Sequence, residues 1–248
     1  MTETKKSKQA FEAAITEYVA PRLSEMSYRR YKQSFFWKWN SGCFWRVWPF
    51  LRETRGVDEA FLHITACIGF PELTRFLASW AQMPSNVDIS KPCNMAADII
   101  YLRPSVQNPT RISPDTDPDR LGIFIWQDIK TFMIPFLEQV GTFEKAIESW
   151  EKGKFYNAAG MGTYLLAAAY FLRGDKSRAL NLVRAKIAGE EEQVRSGSAP
   201  LTTLNAAEMD LVSGMDLKFD LMANQSLEQL RSFESFLAKQ EPPAVPAL

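Results

Sequence analysis

Hydrophobic and polar residues alternate with a period of two along residues 35–51, on both sides of an Asn-Ser-Gly turn at 40–42. That period is typical of β-strands, and a turn between two such segments predicts a β-hairpin. Phe35, Trp37 and Trp39 are expected on one face of the first strand. Both faces of the second strand carry large apolar side chains, so we expect a helix to cover one face and a helix or a partner to cover the other.

Further strands and helices follow from the same pattern. Residues 60–68 alternate and predict a third strand, and a helix is expected to begin at Pro71, because proline suits the first helical turn. Residues 94–103 predict a fourth strand. Before the hairpin, apolar residues at spacings of three and four predict a helix over 6–26, which Pro21 should bend or divide.

The period changes beyond a loop rich in proline and polar residues at 106–120, which we take as a domain boundary. Residues 1–110 are predicted to form an α+β domain, a small antiparallel sheet with flanking helices. Residues 111–248 are predicted to form an all-helical domain. Within it, residues 121–140 have a helical period that Pro135 should interrupt.

A repeat is visible in the helical half. Residues 141–147 resemble residues 174–180 at an offset of 33, close to the period of tetratricopeptide helical hairpins. Residues 164–187 fit one such hairpin with its turn at Gly174. We expect a last helix over 203–240, with a break near Ser213 and Gly214.

The overall charge argues against some functions. The 248 residues include 29 basic and 29 acidic side chains, so the formal net charge is zero. That balance argues against a dedicated nucleic-acid or membrane-surface protein. The halves differ, since residues 1–110 carry a net charge of +4 and residues 111–248 carry −4.

Cysteine usage and apolar runs bear on the compartment. Cys43, Cys67 and Cys93 are odd in number, widely spaced and without a C-x-x-C motif, so we expect reduced thiols in a cytoplasmic protein rather than a disulfide framework. No secretory signal is predicted at residues 1–8. No apolar run approaches the roughly 18 residues of a membrane span.

Catalytic chemistry has few candidates. His63 is the only histidine and is predicted on the third strand, on the same face as Cys67. Asp98 is expected on a neighbouring strand, where it could orient His63 as a general base. A hydrolase or transferase that uses His63 with Asp98 or Cys67 is therefore an alternative. The favoured interpretation is a structural histidine, and no catalytic, cofactor or metal residues are assigned.

Charged and aromatic clusters suggest binding instead. Two runs of acidic residues, at 115–119 and 190–192, are most simply interpreted as a solvated loop and a solvated helix face. If the partner is basic, both runs are also candidate docking surfaces. A basic and aromatic cluster around the hairpin would suit a stacking platform for RNA, which makes an RNA-associated scaffold a further alternative. The partner-binding residues we assign are Asp115, Asp117, Asp119, Glu190, Glu191, Glu192, Arg46 and Trp48.

The order of helix, aromatic strand pair and the segment Ile-Thr-Ala-Cys-Ile-Gly-Phe-Pro-Glu-Leu at 64–73 resembles a family of uncharacterised bacterial proteins associated with toxin immunity, over residues 9–105. The resemblance implies a small sheet covered by helices that neutralises a cognate effector toxin in the cytoplasm by tight binding. We therefore expect a non-catalytic protein-binding module, an immunity protein that needs no cofactor. Nucleic acid and membrane are not expected partners, and a homodimer is left open.

Overall fold

The computed structural model describes residues 3–53, 60–81, 92–103, 110–154, 161–196 and 227–243. Within them, six strands form one antiparallel sheet in the order β1-β2-β3-β4-β5, with β6 paired to the other end of β4. The strands are β1 (Arg29–Tyr31), β2 (Phe35–Asn40), β3 (Cys43–Glu53), β4 (Ala60–Gly69), β5 (Met95–Asp98) and β6 (Thr110–Ile112). The predicted α+β class is confirmed.

Ten α-helices lie in the described ranges, and two of them continue from a π-helical turn. They are α1 (Glu3–Ala14), α2 (Ala20–Glu25), α3 (Pro71–Trp80), α4 (Ile99–Leu102), α5 (Pro118–Asp128), α6 (Ile134–Gln139), α7 (Phe143–Glu151), α8 (Gly162–Leu172), α9 (Lys176–Ser196) and α10 (Leu227–Lys239). The π turns are π1 (Ile15–Val19) and π2 (Ile129–Met133).

The predicted hairpin is present, with β2 and β3 joined by a two-residue turn. Ser41 and Gly42 both have positive φ, at 50° and 76°. Two successive residues in that region match the twist of the flanking strands, and glycine adopts it without steric cost. The turn fixes the register in which Asn40 pairs with Cys43 and Trp39 with Phe44.

One face of the sheet is largely buried beneath helices. Six apolar side chains on it have an exposure of 1% or less: Phe36, Val47, Leu62, Ile64, Ala66 and Ala97. Helices α1, α5 and α6, with the π turns between them, form the covering layer. Gly122 lets α5 approach π1, because a Cβ at that position would lie 2.6 Å from Tyr18.

Both interrupted helices change at a proline. Pro21 lies at the start of α2, directly after π1, and Pro135 lies at the start of α6, directly after π2. Proline has no N–H to donate and clashes with the carbonyl four residues earlier, so a wider turn before it relieves both problems. The predicted interruptions at Pro21 and Pro135 are therefore confirmed.

The predicted strand over 94–103 is too long. The strand ends at Asp98, whose side chain accepts a hydrogen bond from the backbone N–H of Ile100 at 3.1 Å. This is a helix N-cap, and residues 99–102 turn into α4. The short strands β1 and β6 were not predicted at all.

The chain forms two compact units. The first comprises residues 1–71 and 88–149, and the second comprises residues 72–87 and 150–248. The boundary predicted between residues 110 and 111 falls inside the first unit, because α5 and α6 cover the sheet. The part of the predicted last helix over 203–226 lies outside the described residues.

The second unit is held together by a cluster of aromatic rings. Trp80 of α3 stacks on Tyr164 at 4.9 Å between ring centroids and contacts Phe233 at 4.7 Å. Phe76 stacks on Phe171 at 5.0 Å. The predicted hairpin at 164–187 is present as α8 and α9, which are joined through Gly174 at a positive φ of 84°.

Candidate binding site on the sheet

The face of the sheet opposite the helix layer is rich in rings, and we call it the aromatic face. It is formed by alternate residues of β1 to β5, because cross-strand partners in an antiparallel sheet point to the same side. The strand register places these side chains on it: Arg29, Tyr31, Phe35, Trp37, Trp39, Phe44, Arg46, Trp48, Phe50, His63, Thr65, Cys67 and Asp98.

An unbroken series of ring contacts crosses four strands of this face. Tyr31 meets Phe35 at 5.9 Å between centroids, Phe35 meets Trp48 at 6.2 Å, and Trp48 meets Phe50 at 4.7 Å. Phe50 then stacks on His63 at 5.2 Å with an interplanar angle of 15°. These contacts pack the rings against one another, so the positions of the rings on this face are mutually constrained.

A second group of rings lies at the hairpin end. Trp37 stacks on Phe44 at 5.6 Å, and Trp39 contacts the edge of the same ring at 5.5 Å. Trp39 is 49% exposed and Tyr31 is 44% exposed. Phe35 and Trp37 are half-buried. The aromatic face is therefore most exposed to solvent at the edge formed by β1 and β2.

Arg46 lies in the middle of the aromatic face and is buried. Its guanidinium lies 5.3 Å from the ring centroid of Phe35 and 5.8 Å from that of Trp48. Burial lowers the pKa of Arg46 to about 10, so the group stays protonated at neutral pH. Stacking on aromatic faces compensates part of the cost of burying that charge. Arg46 therefore packs against Trp48, which is half-buried and which we also assigned to partner binding from the sequence.

His63 and Asp98 are brought together, as the alternative interpretation of the sequence expects. Nδ1 of His63 lies 3.1 Å from Oδ2 of Asp98, and Thr65 Oγ1 donates to the same oxygen at 3.4 Å. His63 is 4% exposed and Asp98 is 1% exposed. The other carboxylate oxygen accepts from Ile100, so Asp98 joins β4, β5 and α4.

Cys67 is not a free thiol. It forms a disulfide with Cys93, with the two Cα atoms 5.8 Å apart. The expectation of three reduced cysteines is therefore wrong, and only Cys43 is free among the described cysteines. The disulfide also removes Cys67 as a nucleophile beside His63, because a disulfide sulfur has no thiolate to offer.

The residues around Cys93 pass closely over the end of β4. A Cβ on Gly69 would lie 2.0 Å from the carbonyl oxygen of Pro92. Only glycine permits this approach. Asn94 fixes the same segment, since its Oδ1 accepts from the N–H of Phe70 at 2.6 Å and its own N–H donates to Ile68 at 2.9 Å.

The first acidic run lies before and within the first turn of α5. Asp115, Asp117 and Asp119 are all exposed. Asp117 is the N-cap residue of α5 and accepts from the N–H of Asp119, and it also pairs with Arg120 at 3.7 Å. Carboxylates near a helix N-terminus are stabilised by the helix dipole, so this run has a local structural role.

The second acidic run lies on α9, in the second compact unit. Each of its carboxylates has a cationic partner at 2.7 Å: Glu190 with Lys186, Glu191 with Arg231 and Glu192 with Arg195. The Glu191 pair joins α9 to α10. The run is therefore largely neutralised within the unit and is not an open acidic patch.

Within the described ranges, no group of three or more histidine, cysteine, aspartate or glutamate side chains is arranged to hold a metal ion. None of the helices in those ranges has the length and apolar character needed to cross a membrane.

The sequence missed two features of the site, the edge strand β1 and the disulfide. The alternation of Arg29 and Tyr31 just before β2 was the only signal for the strand. Compared with known proteins, the chain matches no family model, no curated protein and no solved structure.

Proposed function

We propose that this protein is a non-catalytic binding module that neutralises a cognate bacterial effector toxin in the cytoplasm, and that the toxin docks on the aromatic face. The observation that carries the proposal is the presence of Tyr31 and Trp39, two exposed rings at one edge of the aromatic face. Apolar side chains grouped on one surface mark interaction sites more often than single ones do, and tyrosine and tryptophan are enriched among binding hot spots.

Charge indicates which kind of toxin surface fits. On this side of the sheet the register places Arg29, Arg46, Arg52 and Asp98 on the aromatic face and Arg111 on the adjoining strand β6, and of these Arg46 and Asp98 are buried. Lys32 lies 5.5 Å from the ring of Tyr31 at the exposed edge. This cationic excess favours a toxin that presents acidic groups around an apolar centre.

The geometry of the acidic runs supports the same choice. Docking through Glu190, Glu191 and Glu192 would require three existing ion pairs to be broken or shared. The aromatic face needs no such rearrangement, because its rings already contact one another. We therefore place the interface on the sheet rather than on the acidic runs expected from the sequence.

The test is co-expression with the product of the gene immediately upstream, in a bacterial host that this product harms. The chain should restore growth and should co-purify with that product as a stoichiometric complex. Trp39→Ala combined with Arg29→Glu should abolish the rescue, because it removes an exposed ring and reverses a charge at the same edge.

Matched controls lie on the helix layer, on the other side of the sheet. Ile123→Ala with Lys130→Glu changes an exposed apolar side chain and an exposed charge on α5 and π2 and should leave the rescue intact. His63→Ala should also preserve the rescue if the variant folds. Loss of rescue in a folded His63→Ala variant would favour a hydrolase or transferase.

The aromatic and cationic composition of the face also gives a reason to test single-stranded nucleic acid. Oligonucleotide binding that weakens steeply with added salt would indicate phosphate contacts. Such binding, without binding of the upstream gene product, would replace the proposed function by an RNA-associated role.

A further inference from the structure

We propose that Cys67 and Cys93 form a thiol–disulfide exchange site, in which Cys93 is the sulfur that reacts with external thiols and Arg46 holds it as a thiolate when the pair is reduced. This site goes beyond the proposed function and stands or falls independently of toxin binding.

The two sulfurs differ in access. Cys67 belongs to the central strand β4 and has no exposed surface, whereas Cys93 is half-exposed. Thiol–disulfide exchange needs an incoming thiolate to reach one sulfur of the bond. Of these two residues Cys93 is the one with solvent-exposed surface, so we place the attack on its sulfur.

Arg46 is the group that favours the thiolate form of Cys93. Its Nη2 lies 3.4 Å from Sγ of Cys93, and its backbone is the direct cross-strand partner of Cys67. The contacts of Arg46 with the rings of Phe35 and Trp48 fix the guanidinium in place. A cysteine beside an arginine favours the thiolate, which is the form that leaves and attacks in exchange.

The environment of Cys43 differs from that of Cys93 and has the opposite effect on the thiol. It is buried, and burial raises its thiol pKa to about 11, with a further contribution from the charge of Glu144. A thiol of that kind is protonated at neutral pH and reacts slowly. It therefore serves as an internal reference for Cys93.

The exchange is balanced with two equivalents of a small thiol such as glutathione. The first thiolate attacks Cys93 Sγ, the Sγ–Sγ bond breaks, and Cys67 leaves as a thiolate that takes up a proton. A second thiolate attacks the glutathione sulfur of the mixed disulfide and releases Cys93 as a thiolate beside Arg46. Two thiols are oxidised to one disulfide while the protein disulfide is reduced to two thiols.

The surrounding backbone makes the reaction reversible. In the disulfide-bonded structure, Asn94 is hydrogen-bonded to Phe70 and Ile68, and neither bond involves a sulfur. We therefore expect these hydrogen bonds to persist on reduction and to keep Cys93 over the end of β4, close to Cys67. The disulfide can then re-form without a large movement of the backbone that carries Cys93.

The experiment measures alkylation of each cysteine in the folded protein after equilibration in glutathione redox buffers, with modified peptides identified by mass spectrometry. We expect the pair to open under native conditions and Cys93 to be alkylated at least about tenfold faster than Cys67 or Cys43. Across a pH series, Arg46→Gln should move the half-maximum of the Cys93 rate to higher pH, and Arg46→Lys should restore part of the shift.

Arg52→Gln, on the same strand and face, is the matched control and should leave the Cys93 profile unchanged. Equal rates at all three cysteines, or opening of the pair only in denaturant, would overturn the proposal. An unchanged profile in Arg46→Gln would remove Arg46 from it. If the glutamine variant does not fold, the wild-type comparison of Cys93 with Cys67 still decides the exchange site.

Discussion

Nδ1 of His63 and Oδ2 of Asp98 lie 3.1 Å apart beneath the rings of the aromatic face, and both side chains are almost completely buried. Asp98 also accepts from Thr65 and from the backbone of Ile100. One carboxylate on β5 thus satisfies two side chains of β4 and one backbone N–H of α4. Its main effect is to fix the position of β5 and the start of α4.

Replacement of Asp98 by alanine should therefore destabilise the chain strongly. The substitution leaves the polar groups of His63, Thr65 and Ile100 without this hydrogen-bond partner, and each buried polar group left unsatisfied costs about 1–3 kcal/mol. Urea denaturation of the purified protein measures the loss. Asp98→Asn keeps an acceptor oxygen for Ile100, so it should lower the free energy of unfolding by less. Equal stability of Asp98→Ala and the wild type would show that this network does not contribute to the stability of the fold.

Gly69 and Gly189 provide a contrast between a glycine under close approach and an unconstrained one. A Cβ at Gly69 would meet the carbonyl of Pro92, whereas one at Gly189, in α9, would meet nothing within 4 Å. We expect Gly69→Ala to destabilise by about 1–3 kcal/mol, because backbone must move. Gly189→Ala should stabilise by up to about 1 kcal/mol, since alanine is the better helix former.

The thermal midpoints of the two glycine variants should therefore shift in opposite directions. A Gly69→Ala protein as stable as the wild type would mean that the segment of residues 92–94 is held away from β4 in solution.

Reversal of Glu190, Glu191 and Glu192 to lysine tests whether the acidic run on α9 is a docking surface. Each carboxylate already has a cationic partner, so the triple variant should lose a modest amount of stability, with exposed pairs contributing about 0–1 kcal/mol each. The affinity for the proposed toxin partner should not change. A large loss of affinity in a folded triple variant would show that the interface includes the acidic run on α9, in the second unit.

Cys43 gives a prediction for the dependence of stability on pH. Burial raises its thiol pKa from 9.0 to about 11, so the folded state keeps a proton that the unfolded state has released between these values. Unfolding then releases a proton, and the contribution of Cys43 to stability should fall as pH rises from 9 to 11. Cys43→Ala should flatten that part of the curve of unfolding free energy against pH.

The parts of the fold that the sequence predicts are those set by local pattern. The hairpin follows from alternating aromatics around a turn at which Gly42 supplies a left-handed residue, and β4 follows from its own alternation. Pro21 and Pro135 mark helix interruptions because the missing N–H acts within one turn of chain. Each of these features depends on residues close together in the sequence.

The features that the sequence did not predict depend on tertiary register. The strand pattern after residue 94 is interrupted because the side chain of Asp98 prefers to cap α4, and a capping hydrogen bond competes with continued extension. Cys67 and Cys93 are 26 residues apart and become neighbours only once β4 and β5 pair. Likewise, the partner of Glu191 is Arg231 of α10, which is 40 residues away in the sequence, whereas Glu190 and Glu192 pair with Lys186 and Arg195 on their own helix.

The measurement that tests the central claim most directly is calorimetric titration of the purified chain with the upstream gene product, using wild type and a Tyr31→Ala/Trp39→Ala variant. Truncation of hot-spot rings costs at least about 2 kcal/mol, so we predict an affinity at least about 30-fold weaker for a variant with unchanged stability. An unchanged affinity in that folded variant would contradict the placement of the interface on the aromatic face.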